Sequence, residues 1–268
     1  EEIGRGFTMN HWLKLSIEYA NQRSYLDDLF RVYPTIPDGI RDIEAERWEQ
    51  IELAFRKKDN QELLEHLLRL DLFPIKDSYI AYLKRDKTAI SRNPQTINRI
   101  CGRLYELGLE KIYERATEPK ETNRQIGPMF RHWLQSKALG IQPLGIEKFV
   151  GGEENAILDA SDGVKAEFAE RYLNYSASKG LDMVARFNKK LVIGEAKFLS
   201  DFGGHQAAQF SDAINLLNSS ADAIKVAILD GVIYIPSGNK MYRTMLSHQY
   251  ENRNIMSALV LRDYLYSL

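Results

Sequence analysis

The sequence predicts an α/β protein: a mixed central β-sheet flanked by helices, with an N-terminal helical domain in front of it. Three observations carry this. Residues 1–120 repeat apolar side chains at helical spacing almost throughout. Residues 118–123, Glu-Pro-Lys-Glu-Thr-Asn, form a polar, helix-breaking joint. Beyond the joint, β-prone runs at 182–198 and 225–235 alternate with helical patterns. The domains are therefore expected at 1–120, helical, and 121–268, built around the sheet.

Length and composition bound the answer. With 268 residues, 44% hydrophobic and 27% charged, the chain suits one large or two modest soluble domains. No run of 18 apolar residues exists, so no membrane span is expected. The opening EEIGRGF does not read as a secretory signal, and a single cysteine, Cys101, excludes an intrachain disulfide; both suit the cytoplasm. The five histidines are scattered and give no zinc pattern. The net charge of −1 argues against non-specific coating of nucleic acid, but a cleft needs only a local basic surface.

In the first half, helical tracts are expected near 10–32, 40–57 and 60–70. Trp48, Ile51 and Phe55, then Leu63, Leu64, Leu67 and Leu68, recur on one side of their helices. Pro34 and Pro37 separate the first two tracts, and Asp59 or Asn60 caps the third. A further helix starts at Asn93-Pro94, with a capping side chain before a proline. Ile97, Ile100, Leu104 and Leu107 form its apolar face, and Gly108 ends it. Lys84, Arg85, Lys87, Arg92, Arg99 and Arg103 gather here, with only Asp86 in opposition, and Arg99 and Arg103 share a face. Such a helix can lie against a phosphate backbone or enter a groove, so Arg92, Asn93, Arg99 and Arg103 are candidate DNA contacts. A solvated helix face accounts for them equally well.

After the joint, a helix carries Trp133 and Leu134 as core residues. Residues 144–162 read as a strand or irregular segment and a loop, in which Asp159 and Asp162 could in principle bind metal, although turn chemistry explains them more simply. A helix at 164–174 and a turn at 176–180 lead into DMVARFNKKLVIGEAKF.

That stretch, 182–198, reads as a hairpin with Asn188-Lys189 as its two-residue loop. Phe187 then pairs with Lys190, and counting outward sets Asp182 across from Glu195. Alternation puts Glu195 and Lys197 on one face. Two opposed carboxylates repel, and a divalent cation removes the repulsion. Mg²⁺ takes one or two carboxylates and completes its shell with waters and phosphate oxygens. The adjacent lysine can hold an attacking water and stabilise charge on a phosphate. The pattern is one for metal-assisted phosphodiester hydrolysis; an ordinary charged surface hairpin is the plain alternative.

A loop at 198–204 follows, then a helix at 205–218 with a polar stripe of Gln206, Gln209, Asp212 and Asn215. Glutamine and asparagine can read base edges; an amphipathic helix covering the sheet is the alternative. Residues 225–229 form a continuous apolar strand of the kind buried on both faces, and Asp230-Gly231 has a structural, turn or bulge role. Tyr242, Arg243, His248, Gln249, Tyr250, Asn252 and Arg253 suit DNA, a dimer contact or plain surface. Residues 254–268 are expected as one amphipathic helix with Ile255, Ala258, Leu259 and Tyr266 inward.

Asp182, twelve residues, and Glu195-Ala196-Lys197 resemble the active-site pattern of the PD-(D/E)XK nuclease superfamily, with Leu181 in place of the proline. Arg124, Gly127, Phe130 and Arg131 resemble a helix of many of its nucleases, roughly R-x-x-G-x-x-F-E. Arg131 stands where a metal-reaching glutamate would, so Glu167 or Glu170 is a candidate substitute, each also explained as a solvated helix face. The strand ending in Ile-Leu-Asp-Gly and the final helix look like the end of many type II restriction endonucleases. The resemblance covers roughly residues 120–268.

It implies a restriction-endonuclease-like core and Mg²⁺-dependent cleavage of double-stranded DNA at a short specific sequence, in a prokaryotic cytoplasm. Asp182, Glu195 and the backbone carbonyl of Ala196 would bind the metal, with Glu170 as a further ligand, and Lys197 would position and activate the water. Arg124, His205, Gln206, Gln209 and Arg243 join the candidate DNA contacts. A palindromic target implies a two-fold homodimer, with a cognate DNA methyltransferase as genetic partner only. The same residues would serve a repair or branched-DNA nuclease. A nuclease-like fold that binds DNA without cutting is the rival from another class.

Overall fold

The computed structural model describes residues 9–22, 24–34, 41–119, 126–176 and 180–268. Contacts divide the chain into two compact units, Ile36–Glu121 and the pair of segments Glu1–Thr35 and Thr122–Leu268. This differs from the expected split at 120. Helices α1 (His11–Ala20) and α2 (Tyr25–Leu29) belong with the sheet. Their apolar faces, with Leu13, Tyr25, Leu29, Val32 and Tyr33, lie in the same core as Met183, Phe187 and Leu229. Periodicity revealed that these helices have an apolar face but not what covers it.

The helical unit contains α3 (Ala45–Lys57), α4 (Asn60–Leu67), α5 (Ile80–Arg85), α6 (Ala89–Arg92), α7 (Pro94–Leu107) and α8 (Leu109–Ala116). Asp59 caps α4 by accepting from Glu62 N at 3.0 Å, as its side chain suggested. The expected face of α7 is buried at Ile97, Ile100 and Leu104, around a core shared with Ile51, Leu63, Leu64 and Leu67. Gly108 closes α7 with φ of 83°, a backbone that favours glycine.

The sheet unit has six described strands: β1 (Pro143–Leu144), β2 (Ala156–Leu158), β3 (Met183–Phe187), β4 (Lys190–Leu199), β5 (Ile224–Gly231) and β6 (Asn254–Met256), in spatial order β1-β2-β3-β4-β5-β6. β1 and β2 are parallel, β2-β3-β4 antiparallel, and β4-β5-β6 parallel, so the sheet is mixed as expected. The helices are α9 (Ile126–Gln135), α10 (Ile146–Gly151), α11 (Asp162–Leu173), α12 (Gly204–Asn218), α13 (Lys240–Met245) and α14 (Ala258–Tyr266). Among the described residues no helix is long and apolar enough to cross a membrane.

Two expectations are corrected. Residues 144–162 hold the strand β2, within the expected strand or irregular segment, but also the helix α10, where no helix was expected. Residues 254–256 pair with β5 as β6, and Ser257 then caps α14 by accepting from Leu259 N at 3.1 Å. The buried run Ile255-Met256 is too short for periodicity to separate helix from strand.

The strands bury both faces. Met183, Ala185 and Phe187 face the larger core with α1, α9 and α14, whereas Val184 and Ile193 face a smaller one with Phe149, Phe168 and Leu173. By alternation, Asp182, Glu195 and Lys197 point to the side of the smaller core.

Candidate active site

The site begins with a turn. Asn188 and Lys189 have φ of 48° and 65°, the left-handed pair that a type I′ hairpin requires. The ladder runs from Phe187↔Lys190 to Met183↔Gly194, the expected register. In a two-residue hairpin the closing pair exchanges both backbone hydrogen bonds, and bonded and non-bonded pairs then alternate. Asp182 therefore follows the last pair at a non-bonded position. Its carbonyl points away from β4, and the amide and carbonyl of Ala196 point toward the side where β3 has ended.

The Asp182 side chain fills the place of the missing strand. Its Oδ2 accepts from the Ala196 N–H at 2.8 Å. Lys197 Nζ donates to Glu195 Oε1 at 2.5 Å and lies 3.7 Å from Asp182 Oδ2, so the ammonium bridges the two carboxylates. All three side chains are largely buried. Burial, followed by the neighbouring charge of Asp182, pushes Glu195 up to about 7, and Lys197 only partly offsets this. Burial likewise raises Asp182, against the pull of Lys197. Burial alone would lower Lys197, but Asp182 and Glu195 hold it above its ordinary value.

These residues fit a hard divalent cation. Two adjacent carboxylates held away from water gain most from an added positive charge, as the elevated Glu195 records. The Ala196 carbonyl faces the same side as the amide bound by Asp182, within the expected ligand set. Gly127 of α9 lies beside the far oxygen: a Cβ there would stand in ordinary contact, 3.7 Å from Asp182 Oδ1. Among the described residues no group of three or more His, Cys, Asp or Glu is arranged to hold a metal, so water and phosphate oxygens would complete the shell.

Other expected residues fall differently. Glu170 is exposed on α11 and is not a fourth ligand. The face of α11 that reaches Asp182 carries Lys165, and Glu170 lies about 140° further round the helix, with Glu167 more nearly opposite. The acids whose charge acts on the site are Asp162, on Asp182, and Asp212 of α12, on Glu195 and Lys197. Arg131 lies with its Nη2 2.5 Å from Asp162 Oδ1, close as an ion pair although not aligned as a hydrogen bond.

Gln206 is corrected as a base-reading residue. Its side chain is buried and donates to Ser200 Oγ at 3.3 Å. His205 and Gln209 sit one turn apart on α12 with ring and amide nitrogens 3.1 Å apart, and His205 is exposed. Arg243 is exposed on α13, and Arg253 is tied to the Leu217 carbonyl at 3.2 Å. Arg124 lies outside the described residues.

In the helical unit the basic helix is better countered than its local sequence suggests. Arg99 and Arg103 both reach Asp77, at 2.5 and 3.4 Å, and Arg92 reaches Asp86 at 2.5 Å. Asn93 does not cap α7; its Nδ2 donates instead to the Ala89 carbonyl at 2.8 Å. Asp77, 22 residues from Arg99, gave no local signal of this pairing.

Lys165 carries no signal in the sequence, which explains Asp162 by turn chemistry in preference to a metal. Asp212 appeared as one more polar stripe residue, and a lysine within a helix carries no mark of burial. No curated protein and no solved structure matches the chain. A family model does match, across residues 10–268, nearly the whole chain: the chain belongs to the Tsp45I type II restriction enzyme family, and is a restriction endonuclease acting on double-stranded DNA.

Proposed function

We propose that the enzyme cuts DNA by Mg²⁺-dependent hydrolysis of the PD-(D/E)XK type, with Asp182, Glu195 and the Ala196 carbonyl holding the metal. The observation that supports this most is the Lys197 ammonium between two buried carboxylates, one of them anchored on the Ala196 amide. A bound divalent cation would polarise the scissile phosphate and lower the pKa of a coordinated water. Lys197, held in its charged form by its two partners, orients that water and stabilises charge on the phosphate. Asp182 and Glu195 keep the lysine in place, and the apolar packing of β4 keeps bulk water from their inner side. Cutting both strands of a palindrome with one site per chain requires a two-fold homodimer, and a cognate methyltransferase would protect the host.

The direct test is digestion of a long sequenced DNA with Mg²⁺ or with chelator. Discrete fragments with identical ends, formed only with the cation, are expected and reveal the recognition sequence. Cleavage in chelator would overturn the metal reading.

The helical unit is proposed to touch phosphates through α7. Arg99, Arg103 and Asp77 carry a net charge of +1, two positive less one negative. Replacing both arginines by alanine is expected to weaken binding at all sequences and to lower the slope of log K against log salt by about one. An unchanged slope would leave these arginines as internal ion pairs.

A further inference from the structure

We propose that Lys165 is a positioning residue for cleavage: its buried ammonium clamps the main chain of Asp182 and so fixes where that carboxylate stands. The inference rests on the reading of Asp182 as a cation ligand. Lys165 is 1% exposed and its Nζ donates to the Asp182 carbonyl at 2.7 Å. That carbonyl is the one the hairpin register turns away from β4. Among the described residues β2 pairs only with Ala185 and Arg186, so no described strand meets it on the other side. The lysine supplies the missing partner.

The start of α11 grips the same segment a second time. Leu181 N donates to the Asp162 carbonyl at 3.1 Å. Gly180 is pressed so closely on this turn that a Cβ would lie 2.6 Å from Asp162 Cβ. Asp162 Oδ1 in turn lies 3.6 Å from Lys165 Nζ and 2.5 Å from Arg131 Nη2. A chain of alternating charge thus runs from Arg131 through Asp162 and Lys165 to the backbone of Asp182. This gives Arg131 a place in the site although it cannot be a ligand.

Burying an ammonium is costly, and a methionine of similar length would fill the space more cheaply. A charge retained there with one carbonyl and one carboxylate for company acts on what it holds. Loss of such a support for a ligand costs about 10–100-fold in metal affinity or activity.

The test compares Lys165→Met with Asp162→Asn, which weakens the clamp from its partly exposed side. Four quantities are measured: the melting temperature without cation, DNA affinity in chelator, the rise in melting temperature on titrating Mg²⁺, and kcat and KM for cleavage. Lys165→Met is expected to keep its DNA affinity in chelator within about twofold and its KM unchanged. It is expected to lose about 10–100-fold in kcat and to need several-fold more Mg²⁺ for the half-maximal rise. Asp162→Asn is expected to show the same signature more weakly. A folded Lys165→Met enzyme with wild-type kcat and cation titration would overturn the inference. If Lys165→Met does not fold, an Asp162→Asn enzyme with both quantities unchanged overturns it equally. An active Asp182→Ala enzyme would instead defeat the reading of Asp182 itself, and this inference with it.

Discussion

Asp182→Ala is expected to lower the rate of DNA cleavage by about 10³-fold or more while leaving DNA binding in chelator unchanged. A cation ligand supplies several kcal/mol of transition-state stabilisation, and each 1.36 kcal/mol is worth a factor of about ten. Asp182 also does two things that no neighbour can replace: it satisfies the Ala196 N–H at 2.8 Å, and it helps hold Lys197 at 3.7 Å. Without it Lys197 closes on Glu195 as a simple ion pair. Single-turnover cleavage and a binding titration on the same oligonucleotide separate the two effects. Wild-type cleavage by the variant would remove Asp182 from the site. The wild-type enzyme carries a pH signature as well. Burial raises Glu195 to about 7, so a cation held there would have to displace its proton below that value. The Mg²⁺ concentration for half-maximal cleavage is expected to rise as pH falls from 8 to 6. In Glu195→Gln, whose residual activity is expected to be low, that dependence should flatten.

The hairpin was legible because its signals are local. Two left-handed residues fix the loop, a two-residue loop fixes the register, and a register fixes which carboxylates meet. What was illegible was contributed from far along the chain. Lys165 reaches Asp182 from a helix 17 residues away, and its burial follows from α11 packing on β3, not from any pattern within α11. Asp77 meets Arg99 and Arg103 across the helical unit, so a helix that looked basic in its own sequence is partly neutralised. Residues 11–33 share their helical spacing with the helices after them, yet pack with the sheet. The class of nuclease was also beyond the constellation itself. The proposed roles of Asp182, Glu195 and Lys197 are ones a repair enzyme could share, and the family match across residues 10–268 decides for restriction.

Replacement of Asp230 should have the largest effect on stability. Its carboxyl is fully buried at the end of β5 and draws together four donors: Ser257 Oγ at 2.5 Å, Ala258 N at 3.0 Å, Tyr25 OH at 3.2 Å and Tyr33 OH at 3.4 Å. Gly231 then turns with φ of 93°, so close to β4 that a Cβ would meet the Leu199 carbonyl at 2.2 Å, and its N–H donates to Tyr25 OH at 3.0 Å. The Asp-Gly pair therefore ties α2, β5 and the start of α14 into one knot. Asp230→Ala leaves several of these groups without partners, each costing about 1–3 kcal/mol, so a loss of about 4 kcal/mol is expected at pH 5. At roughly 2–4 °C per kcal/mol that is a fall of about 10 °C in melting temperature. Asp230→Asn behaves otherwise. Burial raises Asp230 from 3.8 to about 7 despite its four donors. Between those values the folded chain holds a proton that the unfolded chain has released, so this group's contribution to stability falls as pH rises from about 4 to about 7. The full effect is on the order of 4 kcal/mol. Asparagine resembles the protonated acid and does not titrate. It should cost about 1 kcal/mol at pH 5, where the wild-type carboxyl is neutral, and become the more stable form at pH 8. Glu195, raised in the same direction, keeps a residual slope in both proteins. Thermal melts of wild type and Asp230→Asn across pH 5–8 are expected to cross; parallel curves would mean that Asp230 is charged throughout and that its four donors outweigh its burial.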